Sequence, residues 1–105
     1  MANDQKKKQY YLEDRTLEFT KKIIEFINKV SKDLCNIEIV RQLVRSAGSV
    51  GANYIEANES LGKKYFLMRI KICRKEAKET RYWLKLINCN KELEGERQTL
   101  VGEST

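Results

Sequence analysis

The sequence predicts an all-α fold, an antiparallel up-down four-helix bundle whose fourth helix is short or truncated. Three observations carry that prediction. The 105 residues include no proline and only five glycines, which leaves little turn chemistry and favours long helices over many short strands. Apolar residues recur at spacings of three and four along three separate stretches, the period of a helix with one buried face. The connections between those stretches are short, and short connections set consecutive helices antiparallel. A chain of this length fits one domain with a modest core. At 41% hydrophobic and 34% charged residues, it is neither membrane-like nor compositionally disordered.

Residues 1–10, MANDQKKKQY, are polar, contain a three-lysine run and show no period. They predict a disordered basic tail ahead of a single bundle domain over residues 11–105. Lys6, Lys7 and Lys8 suit a solvated terminus or a phosphate backbone. The first helix is expected from about Glu13 to Ser31, with Thr16, Phe19, Ile23, Phe26, Ile27 and Val30 on its apolar face. Asp14 suits the positive end of its dipole, and Lys29 and Lys32 the negative end. Asn36 is the expected N-cap of the second helix.

That second helix is expected over about Ile37–Asn58. Its heptad-like positions are Ile37, Val40, Val44, Ala47, Gly51, Tyr54 and Asn58, flanked by Leu43, Val50 and Ala57. Gly48 and Gly51 each cost roughly 1 kcal/mol against Ala inside a helix. Together with Ala47 and Ala52 they strip bulk from the helix centre and admit a close neighbour, from this chain or another subunit. A break near Gly48 is the alternative, although the apolar repeat keeps phase across both glycines. Arg45, Ser49, Asn53 and Glu56 share the opposite side. They form either a solvated polar face or a hydrogen-bonded seam against a partner.

The third helix, about Lys63–Ile87, carries most of the chemistry. Residues 63–85 hold nine Lys or Arg against two Glu, a local charge of +7 where the whole chain carries +6. Phe66, Ile70, Cys73, Ala77, Thr80, Leu84 and Ile87 form its core face. Lys71, Arg74, Lys75, Lys78, Arg81 and Lys85 gather in a second sector of the helical wheel. Met68, Ile72 and Trp83 make a further apolar flank, which points to self-association through Gly48, Ala52, Met68, Ile72 and Trp83. The alternative is that Trp83 covers the bundle edge. A stub of a fourth helix is expected over about 92–101, weakened by Gly95 and Gly102. An apolar groove that a full fourth helix would cover then stays open, or another subunit fills it.

Composition narrows the function. The chain has no histidine, which removes the commonest general base and the commonest metal ligand. There is no phosphate loop, no metal-ligand cluster and no nucleophile–base pair, so neither an enzyme nor a cofactor is expected. Glu76 and Glu79 read as ion-pair partners of neighbouring cations. Cys35, Cys73 and Cys89 form no C-x-x-C pair. Scattered thiols suit a reducing cytosol, and Cys73 reads as a core residue. With no spanning run and no secretory pattern, the expected location is cytoplasmic and no membrane partner is expected.

The runs Arg45-Ser46-Ala47, Gly51-Ala52-Asn53-Tyr54-Ile55-Glu56-Ala57 and Arg74-Lys75-Glu76-Ala77-Lys78-Glu79-Thr80, followed by Tyr82-Trp83-Leu84, resemble the 23S rRNA-intervening sequence proteins. The likeness covers roughly residues 14–100. It implies an up-down four-helix bundle that assembles into a ring, commonly a pentamer. A related branch, the accessory protein of diversity-generating retroelements, is a basic pentamer, and through it the resemblance implies nucleic acid and a reverse transcriptase as partners. Asn58 departs from the Gly of many relatives. The fourth helix is shorter than theirs, so the chain is expected to be either a fragment or an incomplete bundle. The family implies no catalytic activity.

The combined expectation is a non-enzymatic, oligomer-forming bundle that binds RNA or DNA phosphates through Lys71, Arg74, Lys75, Lys78, Arg81 and Lys85. A protein-interaction scaffold or accessory subunit without nucleic-acid contact is the alternative.

Overall fold

The computed structural model describes residues 2–104, with side chains described from Tyr11 onward. Four helices make up the fold: α1 Ala2–Ile27, α2 Leu34–Asn58, α3 Lys63–Leu86 and α4 Lys91–Glu103.

α1 starts at Ala2 rather than near Glu13, so the backbone of residues 2–10 is helical where the sequence reading expects a disordered tail. The reason is local: Lys, Gln and Ala are good helix formers, and no Gly or Pro interrupts the segment. The side chains of Lys6, Lys7 and Lys8 lie outside the described residues. α1 also ends earlier than Ser31. The Lys29 amide turns back to the Phe26 carbonyl at 3.0 Å, a bond three residues long that tightens and closes the last turn.

That early stop lets α2 begin before Ile37. Asp33, not Asn36, is its N-cap, and its carboxylate accepts the Asn36 amide at 2.8 Å. The Ser31 hydroxyl donates to the same carboxylate at 3.0 Å. These bonds, the Asn36 amide first and Ser31 second, hold Asp33 below its ordinary carboxylate pKa. Asn36 is instead buried, and its side chain joins two loops. α2 continues unbroken through Gly48 and Gly51 to Asn58. Gly62 opens α3 without a side-chain cap, and Asn90 caps α4 by accepting the Leu93 amide at 3.1 Å. Glu92 and Glu94 in the first turn of α4 complement its dipole.

The helices pack in a closed ring: α1 on α2, α2 on α3, α3 on α4 and α4 on α1. The cross-helix bonds set the directions. Between α2 and α3, Arg45 meets Glu79, Ser46 meets Thr80, Val50 meets Cys73 and Asn53 meets Arg69. Between α1 and α4, Lys22 meets Glu103 and Lys29 meets Glu96. Numbers rise on one helix as they fall on the other in both pairs, so the bundle is up-down. α1 and α2 also run antiparallel, since Thr20 Oγ1 donates to the Ala47 carbonyl at 3.3 Å and Asn58 Nδ2 to Glu13 Oε1 at 2.8 Å, and an added Cβ at Gly51 between them would lie 3.4 Å from Thr16 Oγ1.

The core gathers Ile23, Phe26 and Val30 with Leu43 and Ala47, Leu84 and Ile87, and Leu100. Each large member contributes about 1.5–3 kcal/mol by leaving water. This core sits at the end of the bundle where all four helices overlap. α4 has 13 residues against 24 in α3. Its Glu103 lies level with Lys22, so among the described residues no part of α4 lies over the stretch of α1 from Leu12 to Phe19.

Candidate nucleic-acid interface

The cationic residues of α3 recur every three or four positions from Lys71 to Lys85. This keeps them in one sector about 120° wide, beside the sector that enters the core. The structure separates the two sectors. Cys73, Thr80 and Leu84 are buried on one side, while Lys71, Arg74, Lys75, Lys78 and Lys85 are exposed on the other. Arg81 differs from the rest. It is half-buried, because its position borders the core-facing sector.

No member of this stripe forms an ion pair among the described residues. The two carboxylates of α3 are taken from outside the helix, by Arg45 of α2. Arg45 donates to Glu76 Oε2 at 3.3 Å and to Glu79 Oε2 at 2.7 Å. The sequence reading of Glu76 and Glu79 as ion-pair partners holds, but the cation comes from across the helix pair. Arg45 therefore neutralises the acidic groups that would otherwise offset the stripe. Of the face Arg45, Ser49, Asn53 and Glu56, Arg45 and Asn53 form a hydrogen-bonded seam against α3, Ser49 bonds Asn53 within α2, and Glu56 is exposed.

Arg69 is a cation that the seam withdraws from the outer face. Its guanidinium donates to Asn53 Oδ1 at 3.0 Å and to the Tyr65 hydroxyl at 3.1 Å, and lies 5.2 Å from the Tyr65 ring centroid. Two exposed tyrosines border the stripe. Tyr82 shares its sector, and Tyr65 lines a shallow concavity of about 580 Å³ with Lys64, Leu67, Met68 and Lys71. The arrangement offers charge along a rod bordered by two aromatics.

The residues expected at a subunit contact divide. Gly48 and Ala52 lie on the exposed face of α2, and an added Cβ at Gly48 would have nothing within 4 Å. The close approach expected at the small-residue centre is therefore made at Gly51 within the chain, and Gly48 opens outward. Ile37 and Val44, which the heptad reading put towards the core, lie outward on the same face as Gly48 and Ile55. Of the heptad positions Ala47 is buried as expected, and the flanking Leu43 and Ala57 take the core side with it. Met68 is 44% exposed and Ile72 half-buried. Trp83 is half-buried, packs against the core and meets Tyr82 edge-on, so it covers the bundle edge. Its indole Nε1 is buried without a partner.

The thiols follow burial. Cys73 is buried, donates to the Val50 carbonyl at 3.4 Å, and desolvation pushes its pKa up. Cys89 is raised for the same reason, while Cys35 is exposed. Among the described residues no group of three or more metal-ligating side chains comes together, and no helix is long and apolar enough to cross a membrane.

Comparison with known proteins fits this fold. No curated protein matches the chain. A crystal structure from Bacteroides thetaiotaomicron VPI-5482, described as a protein of unknown function from the S23 ribosomal protein family, superposes with a TM-score of 0.77 at 27% identity, covering 92% of this chain and 88% of that one. The family model for the 23S rRNA-intervening sequence protein matches residues 8–102. With nearly its whole helical bundle matched, the chain belongs to the 23S rRNA-intervening sequence protein family.

Proposed function

We propose that this protein is a non-enzymatic, self-associating bundle that binds the phosphate backbone of structured RNA or duplex DNA through the outer face of α3. The observation that carries the reading is the isolation of the stripe. Lys71, Arg74, Lys75, Lys78 and Lys85 are exposed and unpaired among the described residues, while Arg45 occupies both carboxylates of their helix. The stripe runs roughly 20 Å from Lys71 to Lys85 at 1.5 Å per residue, enough to follow part of one turn of a duplex. A rod of charge without base-reading loops gives affinity with little sequence preference. The family name makes ribosomal RNA the first nucleic acid to try, and the cytoplasm is where that ligand resides.

The test is binding of an rRNA fragment and of duplex DNA at two salt concentrations. If about five phosphates are neutralised, log K falls with log salt at a slope near −4.5, so a fourfold rise in salt costs on the order of several hundred-fold. Reversal of Lys71, Lys75 and Lys78 to Glu should abolish binding without changing the fold. Absence of binding to either nucleic acid at low salt rejects the reading.

A second reading, assembly into a ring, is favoured by a different observation. Ile37, Val44, Gly48, Ala52 and Ile55 form an exposed apolar strip along α2, and Met68 extends the apolar surface on α3. A homo-oligomer such as a pentamer would cover these residues and multiply the basic face. A scaffold or accessory subunit predicts the same assembly with no direct nucleic-acid contact, whereas a reverse transcriptase partner would accompany nucleic-acid binding. Light scattering on the wild type and the charge-reversal variant reads the assembly, and nucleic-acid binding by the same two proteins separates the roles: a scaffold keeps its assembly, while a nucleic-acid binder loses its ligand.

A further inference from the structure

The basic stripe of α3 contains one residue that a purely ionic surface does not need. Tyr82 lies four residues after Lys78 and three before Lys85, so it neighbours both on the helix surface. It is 58% exposed, and Leu86, one turn further on, is 47% exposed beside it. A flat aromatic and an aliphatic side chain therefore stand inside the charge, with exposed lysines before and after them. Lys78 and Lys85 are separated by roughly 10 Å along the helix axis. Glu79, the carboxylate next to this patch, is held by Arg45 at 2.7 Å, so an approaching anion does not meet a free negative charge there.

The Tyr82 ring is also held in place. Trp83 packs against the core and meets Tyr82 with ring centroids 5.1 Å apart and planes at 70°. An edge-on contact of this kind occupies at most one face of Tyr82 and leaves the other for a second flat group. Tyr65 is the contrast. Arg69 lies 5.2 Å from its ring centroid and donates to its hydroxyl at 3.1 Å, so Tyr65 is engaged within the chain. What the open face of Tyr82 takes follows from the cations around it. Lys and Arg side chains bind phosphates, and the flat group tethered to a phosphate chain is a nucleobase. In a continuous duplex the bases are stacked inside and do not reach a ring on the outside. An unpaired base at a bulge or junction is splayed out and stacks on aromatic side chains, and taking a base out of the stack costs least where it is already unpaired.

We propose that Tyr82 is a stacking platform for one unpaired nucleotide of structured RNA. Lys78 and Lys85 hold the phosphates on either side of that nucleotide, and the rest of the stripe follows the adjoining duplex. The inference rests on the phosphate-binding role of the stripe and adds a preference to it: RNA with a bulge or junction over continuous duplex. Every base has a π-face, so the preference is indifferent to which base is unpaired.

The experiment measures binding of the full chain to three RNA hairpins that share one stem sequence. The first stem is continuous, the second carries a one-nucleotide bulge, and the third carries the same bulge as an abasic site. The bulged hairpin should bind on the order of tenfold tighter than the other two, whichever base fills the bulge. Tyr82→Leu keeps an apolar side chain but removes the π-face. It should bring the bulged hairpin down to the affinity of the continuous one and leave the continuous one unchanged. Tyr82→Phe should keep the preference, and Tyr65→Leu should leave it intact. Tyr82 is exposed, so its variants fold, which thermal melts confirm. The proposal is overturned if the abasic bulge binds as tightly as the full one, if Tyr82→Leu keeps the preference, or if Tyr82→Phe loses it. Equal affinity for all three hairpins removes the stacking platform and leaves the phosphate-binding stripe standing. Absence of binding to all three removes both.

Discussion

Asn36 and Asn88 exchange two hydrogen bonds across the bundle end. The Asn36 side-chain amide donates to the Asn88 carbonyl at 2.7 Å, and the Asn88 amide donates to Asn36 Oδ1 at 2.9 Å. The same Asn36 amide donates to the Ser31 carbonyl at 2.9 Å. One buried side chain thus pins the α1–α2 loop to the α3–α4 loop. Asn36→Ala removes three bonds and leaves loop backbone groups unpaired, a loss of about 2–4 kcal/mol. Asn88 contributes only its backbone, so Asn88→Ala should stay within about 0.5 kcal/mol of wild type. Urea denaturation of the two variants checks the asymmetry. Equal losses would mean that the reciprocal pair does not hold the loops.

Arg45 offers a second check, on the seam that frees the basic stripe. Glu76 is nearly buried and Arg45 is about half-exposed. Arg45→Ala leaves Glu76 without its cation and should cost on the order of 1–3 kcal/mol. Glu79→Gln, at a more exposed carboxylate, should cost under about 1 kcal/mol. In the Arg45→Ala variant, Glu76 and Glu79 also become free to offset α3 cations. RNA affinity should therefore fall although no stripe residue has changed. Denaturation and salt-dependent binding on the same variant measure both effects.

How much of this was legible in the sequence depended on range. Period three-to-four spacing located three helices, and the weak apolar signal around Gly95 and Gly102 marked a short fourth. Local chemistry failed at helix ends. Asn36 and Asp33 are both good caps, and only the tertiary demand of the Asn88 loop assigns one to the cap and the other to the interior. The stripe was readable because it lies on a single helix, apart from Arg81, whose burial depends on the adjacent core face. The Arg45 link to Glu76 and Glu79 was not readable, because it depends on the register between α2 and α3. The outward turn of Ile37 and Val44 also escaped, since a helix with apolar residues on two faces gives no unique inward direction.

The cap at Asp33 predicts an acid response. Its carboxyl titrates below the ordinary value of 3.8 in the folded chain, chiefly through the Asn36 amide. A depressed folded pKa means that its contribution is present above the unfolded pKa and is lost as pH falls through the folded one. The contribution of Asp33 should therefore fade below about pH 4. Asp33→Asn keeps a good N-cap but cannot titrate. The wild-type minus variant difference in stability should shrink between about pH 5 and pH 2. A difference that stays constant over that range would exclude Asp33 as a titrating cap.

The thiols predict an order of modification. Cys35 is exposed, Cys89 half-buried and Cys73 buried. Desolvation raises both Cys73 and Cys89, and the thiolate is the reactive form. Iodoacetamide should label Cys35 first, Cys89 more slowly, and Cys73 only as the bundle opens in denaturant. Mass spectrometry over time reads the order. Early labelling of Cys73 in native buffer would place it at a more open site than the α2–α3 seam.

Gly48 and Gly51 predict opposite balances between chain stability and assembly. A methyl at Gly48 meets no atom within 4 Å, whereas at Gly51 it meets Thr16 Oγ1 at 3.4 Å. Gly48→Ala should therefore gain the full helix-propensity difference, about 1 kcal/mol, in the isolated chain. Gly51→Ala should gain less, because contact with α1 takes up part of the difference. The surface around Gly48 carries Val44 at 38% and Ile55 at 49% exposure, and in an assembled ring a neighbour would lie against it. Gly48→Leu should then melt higher than wild type at low concentration yet scatter light as a smaller particle. If Gly48→Leu leaves particle size unchanged, the outer face of α2 is not a subunit contact, and the exposed strip from Ile37 to Ile55 serves some other surface.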